Sequence, residues 1–221
     1  MLRTSASTLK GPAVMQQMLS PTLQDATFRL IALLERHSDQ LPLLDEELNR
    51  HRSIAQALVD QTRKAEVTLN AWRNALAQRW RFEVEAQRVF STVLRDLSLY
   101  YGSDPAYALI IAPVRSSSAI TPIELLCDVR RLEAAIDLLA PRPPFADDCT
   151  QRLRDAAERL ADAIDQTEQR EAERRNVVAE QRLVNQLLQR AYERTHSLLM
   201  RHLTTVDLSI LPPPPEIEKA A

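Results

Sequence analysis

The fold class is decided by the stretch from residue 43 to residue 101, which reads LLDEELNRHRSIAQALVDQTRKAEVTLNAWRNALAQRWRFEVEAQRVFSTVLRDLSLYY. It contains neither proline nor glycine, and its many Ala, Leu, Arg, Gln and Glu residues lose little entropy in a helix. A second window without proline or glycine runs from residue 145 to residue 211. One unbroken helix in each window would be roughly 80–100 Å long, unless a polar site such as Asn70 or Asn176 interrupts it.

Apolar positions in the first window follow steps of four and three residues, the spacing that lets helices pack side by side over a long distance. The series is Leu44, Leu48, His51, Ala55, Leu58, Thr62, Ala65, Leu69, Trp72 and Leu76. It lapses at Arg79 and Glu83. We expect Trp80 and Val84 to take over the seam one position later. The series resumes at Ala86, Phe90, Val93, Leu97 and Tyr100. Because His51 stands in the seam, we expect it to be a buried polar residue that sets helix register.

The second window has a less regular seam, interrupted by a polar segment. Its apolar members are Leu153, Ala156, Leu160, Ile164, Val178, Val184, Leu188, Tyr192, Leu199 and Leu203. Residues 165–176 read DQTEQREAERRN, with one alanine as the sole apolar residue. A helix that is polar all round is usually a solvated span between two packed ends, and we expect that arrangement here.

Two shorter helices are predicted, at residues 21–41 and 122–140, each ahead of a long window. Their starting dipeptides are Ser20-Pro21 and Thr121-Pro122. A capping hydroxyl followed by proline at the first helical position is a typical helix start. In the second helix, Glu124 completes a capping box with Thr121. The order of short helix, proline turn and long helix therefore occurs twice, and the tripeptide Asp-Gln-Thr recurs at 60–62 and 165–167.

These features predict an all-α fold. It is an elongated helical bundle or antiparallel coiled coil in which two short-helix/long-helix units have a pseudo-two-fold arrangement. Gly102 is expected to cap the C-terminus of the first long helix. The predicted ranges are an N-terminal tail at 1–20, a first unit at 21–102, an apolar linker at 103–120, a second unit at 121–208 and a proline-rich tail at 209–221.

The composition excludes several classes of function. The chain has 221 residues but only two glycines, Gly11 and Gly102, so a phosphate-cradling loop and a dinucleotide-binding fingerprint are excluded. The formal net charge of −2 provides no global field that would attract nucleic acid or anionic lipid. No stretch of transmembrane length or targeting signal is evident, which favours the cytoplasm.

The candidates for catalysis are weak. Glu193 and His196 have the Glu-x-x-His spacing of di-iron bundles, but the second such motif that those sites need does not occur in the sequence. Glu47 and His51 lie one helical turn apart, a pairing that is common by chance. No serine or cysteine has the local signature of a nucleophile. We therefore expect no catalytic, metal or cofactor site, no small-molecule substrate and no enzymatic activity.

The two cysteines have no metal-ligand or redox spacing, although a disulfide between them is possible. Cys127 stands beside the apolar stripe of its predicted helix, so we expect a small buried residue. Cys149 is expected in the first turn of a helix, where Asp147 and Asp148 oppose any lowering of the thiol pKa.

The main basic signal lies in the second half of the first long window. Its residues are Arg73, Arg79, Trp80, Arg81, Phe82, Arg88 and Arg95. Because Arg81, Arg88 and Arg95 are spaced by seven residues, they form a ridge on one helix face. Such a ridge could bind phosphates, with an aromatic ring stacking on a base. The alternative is a solvated face whose arginines pair with acids of a neighbouring helix.

Segment 106–114, AYALIIAPV, is the most apolar connection in the chain. It lies between two prolines, so we expect no continuous helix there. We expect it to pack over an end of the bundle. In the alternative interpretation it is a patch for a partner, with Tyr107, Leu109, Ile110 and Ile111 as its contact residues. The run Pro212 to Pro215 is expected to form a stiff polyproline spacer or a ligand for an aromatic groove.

Together these observations predict a non-enzymatic structural or scaffold protein that acts through helix-mediated protein–protein interaction. Its partners would be copies of itself or other proteins. The alternative is a helical subunit of a nucleoprotein complex that contacts phosphates through the arginine ridge. Membrane remodelling ranks third, because it would need the N-terminal tail or the 106–114 segment to insert into lipid.

Overall fold

The computed structural model describes residues 21–37, 43–115 and 121–202, and within these ranges the chain is helical with no strand. The helices are α1 (Pro21–His37), α2 (Leu43–Tyr101), α3 (Pro105–Arg115), α4 (Pro122–Asp137) and α5 (Ala146–His202). The all-α prediction is confirmed. The predicted tails at 1–20 and 209–221, including the polyproline run, lie outside the described residues.

The two long windows each form one continuous helix. Helix α2 has 59 residues and α5 has 57, and neither is interrupted at Asn70 or Asn176. Helix α2 ends at Tyr101, the last residue of the window that lacks proline and glycine. There Gly102 adopts a φ of 58° and its backbone N–H donates to the carbonyl of Ser98. This left-handed conformation suits glycine, so the predicted C-terminal cap is confirmed.

The contacts divide the chain into two compact units, and each long helix contributes to both. In unit 1, α1 packs with α2 up to Glu66 and with α5 from Asn176 onward. Unit 2 runs from Val67 to Arg175 and contains the rest of α2 and α5 together with α3 and α4. The ranges expected from the sequence follow chain order. The structural units differ because antiparallel pairing joins the start of α2 to the end of α5.

The core of unit 1 is built by apolar stripes of three helices. Its buried members are Leu30, Leu33, Leu34, Leu44, Leu48, Tyr192 and Leu199, and Leu58 and Leu188 form a second buried pair. Helices α2 and α5 are antiparallel here, because His51 meets Thr195 whereas Gln61 bonds to the carbonyl of Val177. Burying one leucine side chain stabilises such a core by about 1.5–3 kcal/mol.

Unit 2 has the larger core, to which four helices contribute. Helix α2 supplies Ala86, Phe90, Val93 and Leu97, and α5 supplies Leu153, Ala156, Leu160 and Ile164, as the seams predicted. Helix α4 begins at Pro122, and the Thr121–Glu124 capping box is present in both directions. This start of α4 is therefore confirmed in detail.

The expectation that segment 106–114 is not a helix was wrong. Helix α3 runs through it, with Pro105 at the start and Pro113 in the last turn. Proline is tolerated at the first helical position because that N–H has no intrahelical partner. Asp104 caps this start by accepting from the backbone N–H of Ala106. Since Pro113 lies in the last turn, it removes a helical hydrogen bond without ending the packing of Ile111 and Val114.

The polar segment 165–176 is not the bare span that its composition predicted. Within unit 2, the Arg174 guanidinium lies 5.0 Å from the ring centroid of Trp72 on α2. Arg174 also makes two hydrogen bonds to Glu171, and these hold the pKa of the Glu171 carboxyl below its usual value. Thr167 is buried and donates to the carbonyl of Ala163. Polar side chains therefore cover this part of the interface with α2.

Candidate interaction surface on helix α2

One face of α2 in unit 2 combines arginines with exposed apolar side chains. With 3.6 residues per turn, these positions fall within an arc of about 100°. The members of this arginine face are Arg73, Trp80, Arg81, Val84, Arg88, Arg95 and Leu99. The arc is opposite the positions that α2 buries in the core, Ala86, Phe90, Val93 and Leu97. The face is therefore turned to solvent: Trp80 is 65% exposed, Val84 51% and Leu99 78%.

The positive charge of the arginine face is largely uncompensated. Arg73, Arg81 and Arg88 make no ion pair with any residue that the structure describes. Arg95 has the neighbouring Asp96 as its partner, at 3.5 Å. By helix geometry, no acidic residue falls on the arc between positions 73 and 99. The alternative from the sequence, in which acids of a neighbouring helix neutralise the ridge, therefore does not hold for these three arginines.

Two of the predicted contact residues, Arg79 and Phe82, do not belong to this face. Phe82 packs, partly buried, against the core of unit 2. Arg79 lies in the seam, and its Nε is 2.9 Å from the Glu83 carboxylate, one turn further on. The expectation that Trp80 and Val84 take over the seam was wrong. The aliphatic stems of arginine and glutamate can cover apolar surface while the charged ends pair, so the seam continues through them.

A groove between α2 and α5 adjoins the arginine face. It has a volume of about 480 Å³ and is lined by Glu85, Arg88, Val89, Thr92, Arg95 and Arg152. The Glu85 carboxylate is paired at 2.9 Å with Arg159 of α5. A shallower continuation of about 380 Å³ shares Arg152 and is lined on its apolar side by Leu99, Tyr100 and Phe145. Basic, acidic and apolar side chains therefore converge on one open side of unit 2, with Asp96 and Asp148 in the shallower part.

The second predicted patch, on α3, is mostly buried. Tyr107 and Ile111 belong to the core of unit 2, and Ile110 packs against it. The Tyr107 hydroxyl lies 2.9 Å from the hydroxyl of Ser98, and its ring stacks on Tyr101. Leu109, at 78% exposed, is the member of the set that faces solvent. These contacts agree with the expectation that the segment packs over the bundle.

Unit 1 contains a buried polar cluster centred on Glu47, His51 and Thr195. Each of these residues is at most 1% exposed. Thr195 Oγ1 donates to Glu47 Oε2 at 2.9 Å and lies 2.9 Å from His51 Nε2. The other oxygen of Glu47 is 2.6 Å from Arg50 and 2.9 Å from Arg194. The sequence pointed to Glu47 and His51 but missed Thr195. Its place in the α5 seam, between Tyr192 and Leu199, is the signal that could have found it.

The hydrogen bonds fix the tautomer of His51. Because Thr195 donates its one hydroxyl proton to Glu47, it can only accept from His51, and Nε2 therefore carries the proton. Burial lowers the pKa of His51, and the nearby Glu47 only partly opposes this effect. The imidazole is therefore neutral at neutral pH. Since no solvent reaches the three side chains, the cluster is a structural element that joins α2 to α5.

The two cysteines differ in their exposure. Cys127 is exposed, contrary to expectation, because Asp128 and Val129 occupy the buried side of α4 at that turn. Cys149 is buried, and burial raises the pKa of its thiol. Both thiols are free. Within the described ranges, no group of three or more His, Cys, Asp or Glu side chains could hold a metal ion.

Comparison of the chain with protein-family models, curated proteins and solved structures found no match. None of the helices that the structure describes has an apolar stretch long enough to cross a membrane.

Proposed function

We propose that this chain is a non-enzymatic helical scaffold protein that binds protein partners through the arginine face of α2. The observation that carries the proposal is the combination, on one helix face, of an exposed tryptophan with three arginines that have no ion-pair partner among the described residues. Tryptophan and arginine are the residues most enriched at the energetic centres of protein interfaces. An exposed Trp80 has no role in the core, and a partner would remove its apolar surface from water.

The spacing of the arginine face suits a helical partner. Arg81, Arg88 and Arg95 repeat every seven residues, which is the repeat of charges that flank the seam of paired helices. Beside these arginines on the same face, Trp80 and Val84 lie one turn apart and provide an apolar contact. A helix with apolar residues on one side and acids at a seven-residue repeat would match this pattern. The scaffold function therefore needs helix-to-helix contact rather than a pocket.

The residues that most resemble a catalytic set argue for a structural role. Glu47, Thr195 and His51 are connected by hydrogen bonds, but all three are buried, so a substrate could not reach them. Thr195 also directs its proton to Glu47 rather than to the imidazole, which is the wrong direction for activation of a nucleophile. This supports the non-enzymatic interpretation of unit 1.

Affinity capture from a native extract tests the proposal. The full chain is used as bait beside the variant Trp80→Ala/Val84→Ser and the matched control Leu187→Ala, whose residue is equally exposed but lies on α5 in unit 1. If the removed side chains contribute about 2 kcal/mol or more to binding, the affinity for the partner falls about thirtyfold and retention falls with it. We expect wild type and control to retain the same proteins and the Trp80 variant to lose them. Equal retention by all three baits would overturn the proposal.

A second candidate function is contact with nucleic-acid phosphates, as in a nucleoprotein complex. It is favoured by the absence of acids on the arginine face and by Trp80, which could stack on a base. Its test is fluorescence anisotropy of labelled single-stranded RNA and DNA with the full chain at increasing salt. Contact with three phosphates predicts a slope of log affinity against log salt of about −2, which Arg81→Glu/Arg88→Glu would abolish. Affinity that is independent of salt and of these arginines would exclude it.

A further inference from the structure

Helix α5 carries an acidic row that has the same repeat as the arginines of α2. Asp148, Asp155 and Asp162 are spaced by seven residues and are exposed. In a helix, such positions stay within about 20° of each other per repeat, so the row follows one side of α5. Asp162 makes no ion pair with a described residue, and Asp155 accepts a hydrogen bond from the neutral Gln151. Asp148 has Arg152 as a partner at 3.5 Å, so two of the three aspartates, Asp155 and Asp162, lack an ion pair within the described residues.

The two rows lie at the same levels along unit 2. The ion pair between Glu85 and Arg159 joins the two antiparallel helices and defines a common level. Arg88 lies three residues after Glu85 on α2, and Asp155 lies four residues before Arg159 on α5. Because the two helices are antiparallel, both residues are about one turn from the Glu85–Arg159 level in the same direction.

The remaining members of the two rows match in the same way. Arg95 and Asp148 are each seven residues further along the same direction from Arg88 and Asp155. Arg81 and Asp162 lie about one turn from the Glu85–Arg159 level in the opposite direction. Each arginine therefore has an aspartate at its own height on the neighbouring helix.

Members of both rows also border the open side of the unit. Arg88 and Arg95 line the groove between α2 and α5, while Asp148 lines its shallower continuation together with Leu99 and Phe145. Within one chain the matched residues do not pair: no ion pair is present between either Arg81 or Arg88 and an aspartate of the row. A partner with an acidic row over α2 and a basic row over α5 would satisfy both.

We propose that this partner is a second copy of the chain, docked over the groove about a two-fold axis parallel to α2 and α5. Such an axis leaves every level unchanged and places α2 of one copy on α5 of the other. Arg81, Arg88 and Arg95 then meet Asp162, Asp155 and Asp148 of the second copy, and the symmetry forms each pair twice. The exposed Leu99 and Tyr100 and the partly buried Phe145, at the apolar end of the groove, are covered in the same contact.

This inference deepens the proposed scaffold function, on which it rests, by naming the partner. The second copy is favoured over a foreign acidic helix because one chain carries both rows, with equal spacing and matching levels. It is favoured over nucleic acid because a phosphate backbone would neutralise the arginines but would be repelled by the aspartate row.

Charge reversal with sedimentation equilibrium of the full chain tests the inference. The acidic variant is Arg81→Glu/Arg88→Glu and the basic variant is Asp155→Arg/Asp162→Arg; none of the four residues has an ion pair within the described chain. We expect a salt-sensitive wild-type dimer and monomers of each variant, with a dissociation constant raised about a hundredfold. An equimolar mixture of the two variants should form a dimer, because both sets of pairs are restored.

The matched control is Arg182→Glu/Arg190→Glu on α5 in unit 1, which changes the net charge as the acidic variant does. It should dimerise like wild type and should not pair with the basic variant. A monomeric wild type, variants that still dimerise, or equal pairing of the basic variant with the control would each overturn the inference. If the wild type is monomeric but still captures a protein through Trp80, the inference of a second copy is overturned and the scaffold proposal stands. If the wild type neither dimerises nor captures a protein, the scaffold proposal is overturned as well.

Discussion

The Nε2 atom of His51 on α2 lies 2.9 Å from the Oγ1 atom of Thr195 on α5, in the interior of unit 1. A one-residue slide of either helix would separate this pair and leave both groups without a partner in an apolar core. Glu47 makes the constraint stronger, because it accepts from the same hydroxyl. Polar residues in a seam of paired helices are known to select register in this way. The cluster therefore holds α2 and α5 in one alignment within unit 1.

Thr195→Val should destabilise the protein because it removes the hydroxyl at nearly constant shape. His51 Nε2 and one oxygen of Glu47 would each lose a buried partner, at a cost of about 1–3 kcal/mol per group. Urea unfolding followed by circular dichroism measures the loss. Thr195→Ser is the matched control, since it keeps the hydroxyl and loses one methyl. Equal free energies of unfolding for Thr195→Val and wild type would show that the cluster does not stabilise the fold.

Stability should fall as the pH drops below about 6.5, the pKa of an unfolded histidine. Burial lowers the pKa of His51 in the folded chain, so the unfolded state binds its proton first. The contribution of neutral His51 to the free energy of unfolding is therefore fully present above that pH. It is lost on acidification until the pKa of His51 in the folded chain is reached, with a slope of at most about 1.4 kcal/mol per pH unit. Urea unfolding of wild type and His51→Gln across this range measures the difference. A pH dependence that is unchanged in His51→Gln would contradict the assignment.

Gly102→Ala should destabilise the end of α2 through the backbone alone. Its φ of 58° is costly for residues with a Cβ, and a Cβ added there would meet no atom within 4 Å. The expected loss is about 1–2 kcal/mol, or a fall in melting temperature of roughly 2–8 °C. Gly102→Asn is the control, because asparagine tolerates this region better. Thermal unfolding should rank wild type above Asn and Asn above Ala, and an alanine variant as stable as wild type would refute the cap.

Trp80→Ala should leave stability almost unchanged, within about 0.5 kcal/mol, because the side chain is exposed. The neighbouring Phe82 packs against the core, so Phe82→Ala should cost about 1–3 kcal/mol. Chemical unfolding of both variants compares the two costs directly. If Trp80→Ala lowered the free energy of unfolding more than Phe82→Ala, the placement of Arg79 and Glu83 in the seam would be wrong.

The sequence predicted the helices because their signals are local. The ends of α2, the Thr121–Glu124 capping box and the Gly102 cap each depend on one or two residues whose backbone preferences are strong. It failed where packing outweighed a local rule. Pro105 and Pro113 were expected to prevent a helix in α3, but both stand in end turns, where the lost hydrogen bonds are few.

The candidate surface was predictable only in part. The seven-residue repeat of Arg81, Arg88 and Arg95 is visible in the sequence, but the lack of an ion-pair partner for Arg81 and Arg88 among the described residues is not. Whether Trp80 or Arg79 enters the seam depends on one helical position, or about 100° of rotation. Apolarity alone favoured tryptophan. In the structure Arg79 is half-buried and its charge is paired with Glu83, whereas Trp80 is exposed.

Photo-crosslinking in the cells that make the protein tests the central claim, that the arginine face of α2 binds a protein, most directly. A photoreactive amino acid is placed at Val84 in the centre of the face, and at Val59, which is similarly exposed on α2 in unit 1, as the control. We expect a covalent protein adduct from position 84, resistant to nuclease, and none from position 59. No adduct at position 84, or one that nuclease removes, would contradict it.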